Sequence, residues 1–128
     1  MRTTDTRSLM NRAAGLGSAR KGVGHWWAER VTAIALVPLT LWLMASLVAL
    51  SGGNYIDFVT WLKLPISIVG MVLLLVVLFY HMALGLQVVI EDYVHSAARF
   101  PALIAIRLSC FTLATTGIAA VLRVCFGY

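Results

Sequence analysis

The chain has 128 residues, 61% hydrophobic and only 12% charged, with a net charge of +5 and a mean hydropathy of +0.92. Soluble domains carry about 25% charged residues. The composition therefore argues against a water-soluble domain, and the length allows one compact unit of the integral membrane class.

Residues 1–30 carry six basic side chains, Arg2, Arg7, Arg12, Arg20, Lys21 and Arg30. The segment has the Arg-, Ser- and Thr-rich, acid-poor composition of a transit peptide. It lacks the apolar core of a secretory signal and is read as a cytoplasmic N-terminal arm. Its "AGLGSARKGVG" (14–24) holds four glycines but neither the Lys-Ser/Thr ending of a phosphate loop nor a preceding strand, and is expected to be a flexible loop.

The first predicted span is Val31–Leu50, 20 residues without a charge, with Pro38 inside it. At ~1.5 Å per residue it crosses the ~30 Å hydrocarbon core. The connection "SGGNYIDFVTWLK" (51–63) opens on breakers, and Tyr55–Trp61 reads as an interfacial turn of helix. The second span, 64–90, is uncharged apart from His81 and is long enough to tilt or protrude. The third, 102–124, has Arg107 and Arg123 placed to snorkel and is dense in small residues that let helices approach closely. Cys110 and Cys125 lie ~22 Å apart by helical rise, too far to bridge, and read as core filler.

In lipid every backbone amide needs an internal partner, so the spans are helices and the fold is all-α. The arm and the 91–107 loop hold eight basic residues against two, Lys63 and Arg123, on the other side. That places the N-terminus in the cytoplasm. The same topology accounts for the basic excess, so the expected partner is anionic lipid and not nucleic acid. Residues 31–128 thus form a three-helix transmembrane domain. Three helices enclose little volume, and a partner chain is expected to complete the bundle.

The second span carries one polar stripe. At ~100° per residue, Gly85, Val88, Asp92 and His95 all fall within about 40° of His81, and Gly70 shares the stripe. His81 lies ~15 Å from the helix end marked by Glu91, near the middle of the hydrocarbon core. Gly70 and Gly85 leave room beside its ring for a flat ligand or a second helix. An intramembrane histidine is either bonded to a neighbouring helix carbonyl, a haem-iron ligand or part of a proton relay. Haem fits the position better. The chain offers no second histidine at that depth, so a second imidazole ligand must come from another subunit. Arg30, at the entry of the first span, is placed to pair with a haem propionate or to anchor at the interface. Asp92 and Tyr93 lie where a lipid-soluble substrate meets water, with a carboxyl to pass protons and a phenol to donate to a carbonyl oxygen.

These residues resemble the hydrophobic membrane anchor subunit of succinate dehydrogenase. The His81…Gly85…Asp92-Tyr93 spacing in "HMALGLQVVIEDYV" is similar to that family's haem-ligand and quinone-site helix. "ERVTAIAL" (29–36), after "GHWW" (24–27), resembles the start of its first span. The resemblance covers about residues 15–126. It implies a bacterial inner-membrane complex with a flavoprotein subunit, an iron–sulfur subunit and a second cytochrome b anchor chain. It also implies that His81 is an axial ligand of a shared haem b, that Tyr93 and Asp92 serve ubiquinone, and that Arg30 lies near the propionates. FAD and iron–sulfur clusters belong to the partners, because this chain has neither a flavin fingerprint nor a cysteine cluster. His25 and His95 receive no role. The competing readings are a fumarate reductase anchor, a proton-relay or transport subunit, and a purely structural membrane subunit.

Overall fold

The computed structural model describes residues 17–127, with side chains from Gly22 onward. Four helices follow in order: α1 Gly17–Leu50, α2 Tyr55–Leu62, α3 Pro65–Tyr93 and α4 Arg99–Phe126. Three of them, α1 from Gly22, α3 and α4, are long and apolar enough to cross a membrane. The chain is all-α across the described residues, as the apolar spans require.

α1 begins fourteen residues before the expected span and runs unbroken through Pro38. Residues 17–24, expected as a loop, are its first two turns. Propagating an existing helix costs far less than nucleating one, and a glycine inside a helix costs only about 1 kcal/mol. At 34 residues α1 is ~51 Å long, so part of it must lie outside a ~30 Å core. Arg2, Arg7 and Arg12 of the arm lie outside the described residues.

The short α2 is held by a capping box. The Asn54 side chain accepts from the amides of Ile56 at 2.8 Å and Asp57 at 3.1 Å, and the Asp57 carboxylate accepts from the Asn54 amide at 2.9 Å. α3 starts on Pro65, whose missing N–H costs nothing in a first turn. α4 stops at Gly127, which takes a left-handed φ of 73° that glycine adopts without strain.

α3 is the centre of the bundle: α1 and α4 each pack on it and hardly on one another. Two glycines set these contacts. A Cβ on Gly70 would stand 2.6 Å from the Trp42 indole, and one on Gly117 would stand 3.2 Å from Leu75. Hydroxyls in α4 are satisfied locally: Ser109, Thr112 and Thr116 donate to the carbonyls four residues back at 2.7–2.8 Å. The helix can therefore carry them into lipid. Few side chains are buried, among them Leu62, Leu74, Leu84, Cys110 and Val121. Ile34, Leu41, Val48 and Val69 each stand at least 65% exposed, a surface that only lipid or another apolar helix can cover.

Candidate functional site around His81

His81 is half-buried on α3 and faces α1. Its Nδ1 lies 2.8 Å from the Oγ1 of Thr32, itself only 8% exposed. The same hydroxyl is 2.7 Å from the Ala28 carbonyl and 3.1 Å from that of Glu29. A hydroxyl has one proton, and carbonyls can only accept. If the proton pointed at the imidazole, the Thr32 oxygen would face two carbonyl oxygens with no hydrogen between them. The network therefore assigns the hydroxyl proton to the carbonyls and the imidazole proton to Nδ1, which donates to Thr32. Nε2 is left with its lone pair and has no hydrogen-bond partner among the described residues.

This differs from a histidine bonded to a neighbouring helix carbonyl. One nitrogen is fixed by a hydroxyl on the adjacent helix, and the other is a free base. Histidines that ligate metals show this division, with the second ring nitrogen donating to an oriented acceptor. Among the described residues no three His, Cys, Asp or Glu side chains come together as a cage for a bare metal ion. A porphyrin brings four nitrogens of its own and asks the protein only for an axial base, so the single oriented imidazole fits a haem.

The room beside the ring is now divided. The space that Gly70 leaves is filled by Trp42 of α1, so the second helix takes it and not a flat ligand. The space at Gly85 is open, with no atom within 4 Å of where a Cβ would stand.

The other expected residues are not gathered around His81. Arg30 is exposed and sits over the Trp26 ring, 5.4 Å from its centroid, a cation–π contact that leaves the guanidinium edge available for hydrogen bonds. Asp92 and Tyr93 end α3, ~16 Å of helical rise from His81. Both are exposed, Tyr93 by 82%, and neither side chain makes a hydrogen bond among the described residues. His25 stands 3.7 Å from the Glu29 carboxylate through Nδ1, while its Nε2 is buried without a partner among the described residues. His95 is exposed beyond the end of α3.

Two features escaped the sequence reading. Thr32 lies within "ERVTAIAL", but nothing along the chain pairs position 32 with position 81. Gln87 is the middle of a polar chain. Arg107 donates to its carbonyl oxygen at 2.9 Å, and its amide donates to Glu91 at 2.9 Å.

Comparison with known proteins gives this arrangement a family. The profile of the succinate dehydrogenase/fumarate reductase transmembrane subunit matches residues 4–119. The chain belongs to that family. The succinate dehydrogenase hydrophobic membrane anchor subunit of Rickettsia bellii is 39% identical over 93 residues, covering 72% of this chain and 74% of the relative. The protein of the same name from Rickettsia conorii is 32% identical over 108 residues, covering 83% and 86%. That of Paracoccus denitrificans is 29% identical over 117 residues, covering 85% and 91%. No solved structure matches the chain. As a member of this family with three apolar helices, the chain is a multi-pass membrane subunit.

Proposed function

We propose that this chain is the hydrophobic membrane anchor of a succinate:ubiquinone oxidoreductase, that it supplies one axial ligand to a haem b, and that it forms part of a quinone site. The observation that carries the proposal is the His81–Thr32 pair: a mid-span imidazole with Nδ1 fixed at 2.8 Å and Nε2 free. Relatives that share most of the chain's length are named as succinate dehydrogenase anchors. The complex would join this chain to a flavoprotein, an iron–sulfur subunit and a second anchor chain in a bacterial inner membrane. The basic-residue bias supports a cytoplasmic N-terminus. A second imidazole for the iron would come from the partner anchor.

In this reading Thr32 holds the ring of His81 and keeps the proton on Nδ1, so that Nε2 remains a base. Bound haem b supplies one-electron redox chemistry. Arg30 lies at the same end of α1 as Thr32, and the edge of its guanidinium can receive a propionate. Tyr93 and Asp92 act at the water-facing end of α3. The phenol donates to a quinone carbonyl oxygen, and the carboxylate passes protons in from solvent as the quinone is reduced to quinol.

A proton-transport reading is weaker because the two acids of α3, Glu91 and Asp92, both stand at its end and not in its membrane-embedded part. The test is succinate-driven ubiquinone reduction by membranes of a strain lacking this chain. Loss on deletion and recovery with the wild-type chain are expected, and activity that survives deletion would refute the proposal. Faster quinol oxidation by fumarate than succinate oxidation by ubiquinone would reassign the complex as a fumarate reductase.

A further inference from the structure

Between α1 and α4, across the surface of α3, runs a groove of about 1150 Å³. Its depth is lined by Phe79, Ala83, Ala114 and Ile118, and Val76 closes the far end. Its mouth, where α3 ends and α4 begins, is lined by Gln87, Glu91, Arg99 and Arg107, with His25 of α1 beside them. From Glu91 to Val76 the groove spans fifteen residues of α3, ~22 Å by helical rise.

The mouth is electrically incomplete. Arg99 lies 3.9 Å from Glu91, and Arg107 uses one N–H on Gln87. Among the described residues that line the mouth, two guanidinium groups face one carboxylate, an excess of one positive charge. Among the described residues Arg107 makes no other side-chain hydrogen bond, which leaves four of its five N–H donors for a ligand. His25 Nε2, on the same wall, is buried without a hydrogen bond among the described residues. The groove also lies apart from the His81 stripe. Leu84, Gln87 and Glu91 are turned about 60–120° from His81 around the axis of α3.

We propose that this groove holds one anionic phospholipid of the surrounding leaflet, its phosphate at Arg99 and Arg107 and an acyl chain along Phe79, Ala83, Ala114 and Ile118. A single phosphodiester charge matches the single uncompensated positive charge, and the apolar depth matches the chain. Residues 1–16 of the same chain do not suit the mouth, because Arg2, Arg7 and Arg12 outnumber Asp5. An uncharged quinone leaves the arginines unanswered. The inference does not depend on haem or quinone binding by the His81 face.

The test uses the intact purified complex, delipidated and reconstituted with 1-palmitoyl-2-oleoyl phosphatidylglycerol or the phosphatidylcholine of the same chains. Retained lipid is counted by native mass spectrometry. Wild type should retain one phosphatidylglycerol in preference to phosphatidylcholine. The Arg99→Gln/Arg107→Gln pair should weaken that retention about 30-fold, about fivefold per arginine. The Arg99→Lys/Arg107→Lys pair should keep most of it, and Lys63→Gln, at the opposite end of the bundle, should keep all of it. Should the glutamine pair fail to assemble, Ala114→Phe, which fills the depth and leaves the mouth intact, should abolish retention. Equal retention of the two lipids by wild type, or undiminished phosphatidylglycerol in the glutamine pair or in Ala114→Phe, would overturn the proposal. A photo-crosslinker at position 114 should capture lipid, and capture of a partner polypeptide would overturn it as well.

Discussion

Replacing Thr32 with Val isolates the contact on which the His81 site depends. The substitution exchanges a hydroxyl for a methyl at nearly constant volume. The Ala28 carbonyl still receives the backbone N–H of residue 32, so α1 keeps its ladder. What is lost is the acceptor 2.8 Å from His81 Nδ1. A buried donor left unmet costs about 1–3 kcal/mol, and interhelical hydrogen bonds in membranes have measured about 0.6–1.7 kcal/mol. About 1.4 kcal/mol, the middle of the overlap of the two ranges, is tenfold in affinity, at the lower edge of the 10–100-fold usual for partners of metal-bound histidines. Haem titration into the purified complex should therefore show about tenfold weaker binding in Thr32→Val. A spectroelectrochemical titration should show a shifted midpoint potential, because the imidazole loses the acceptor that orients it. Thr32→Ser, which keeps the hydroxyl, should restore both. Wild-type haem affinity and potential in Thr32→Val would refute the tautomer assignment and the role given to Thr32.

Tyr93→Phe should slow ubiquinone reduction at least severalfold while haem content stays at the wild-type level, and unchanged turnover would remove Tyr93 from the quinone site. Gly70→Val should destabilise the complex by about 1–3 kcal/mol, because its side chain would collide with Trp42. Thermal unfolding would register the loss, and Trp42→Phe in the same background should recover part of it. Asn54→Ala removes both side-chain acceptor contacts at the start of α2 and should cost about 1 kcal/mol in the same assay. A wild-type melting temperature for that variant would show that α2 is held by packing alone.

The spans were legible because lipid imposes one simple rule on backbone amides, and runs such as 31–50 and 64–90 obey it without a competing signal. Their limits were not legible at α1. Gly15, Gly17, Gly22 and Gly24 signal a loop locally, but an adjoining helix of more than five turns extends through residues 17–24 for little cost. Helical periodicity put His81, Gly85 and Asp92 on one face of α3, since that face is a property of a single helix. It could not show that Thr32 meets His81, which depends on how α1 packs on α3. For the same reason Gly70 announced a close approach without naming Trp42 as what fills it. Arg107 and Gln87, twenty residues apart, become neighbours only once α4 folds back along α3.

The central claim is that His81 offers Nε2 to a haem iron, and the most direct measurement is a dithionite-reduced minus oxidised absorption spectrum of the complex purified through this chain. A b-type haem band in the wild-type complex, absent or strongly reduced in an assembled His81→Leu complex, is the expected result. An intact wild-type complex without the band, or an undiminished band in His81→Leu, would contradict the account.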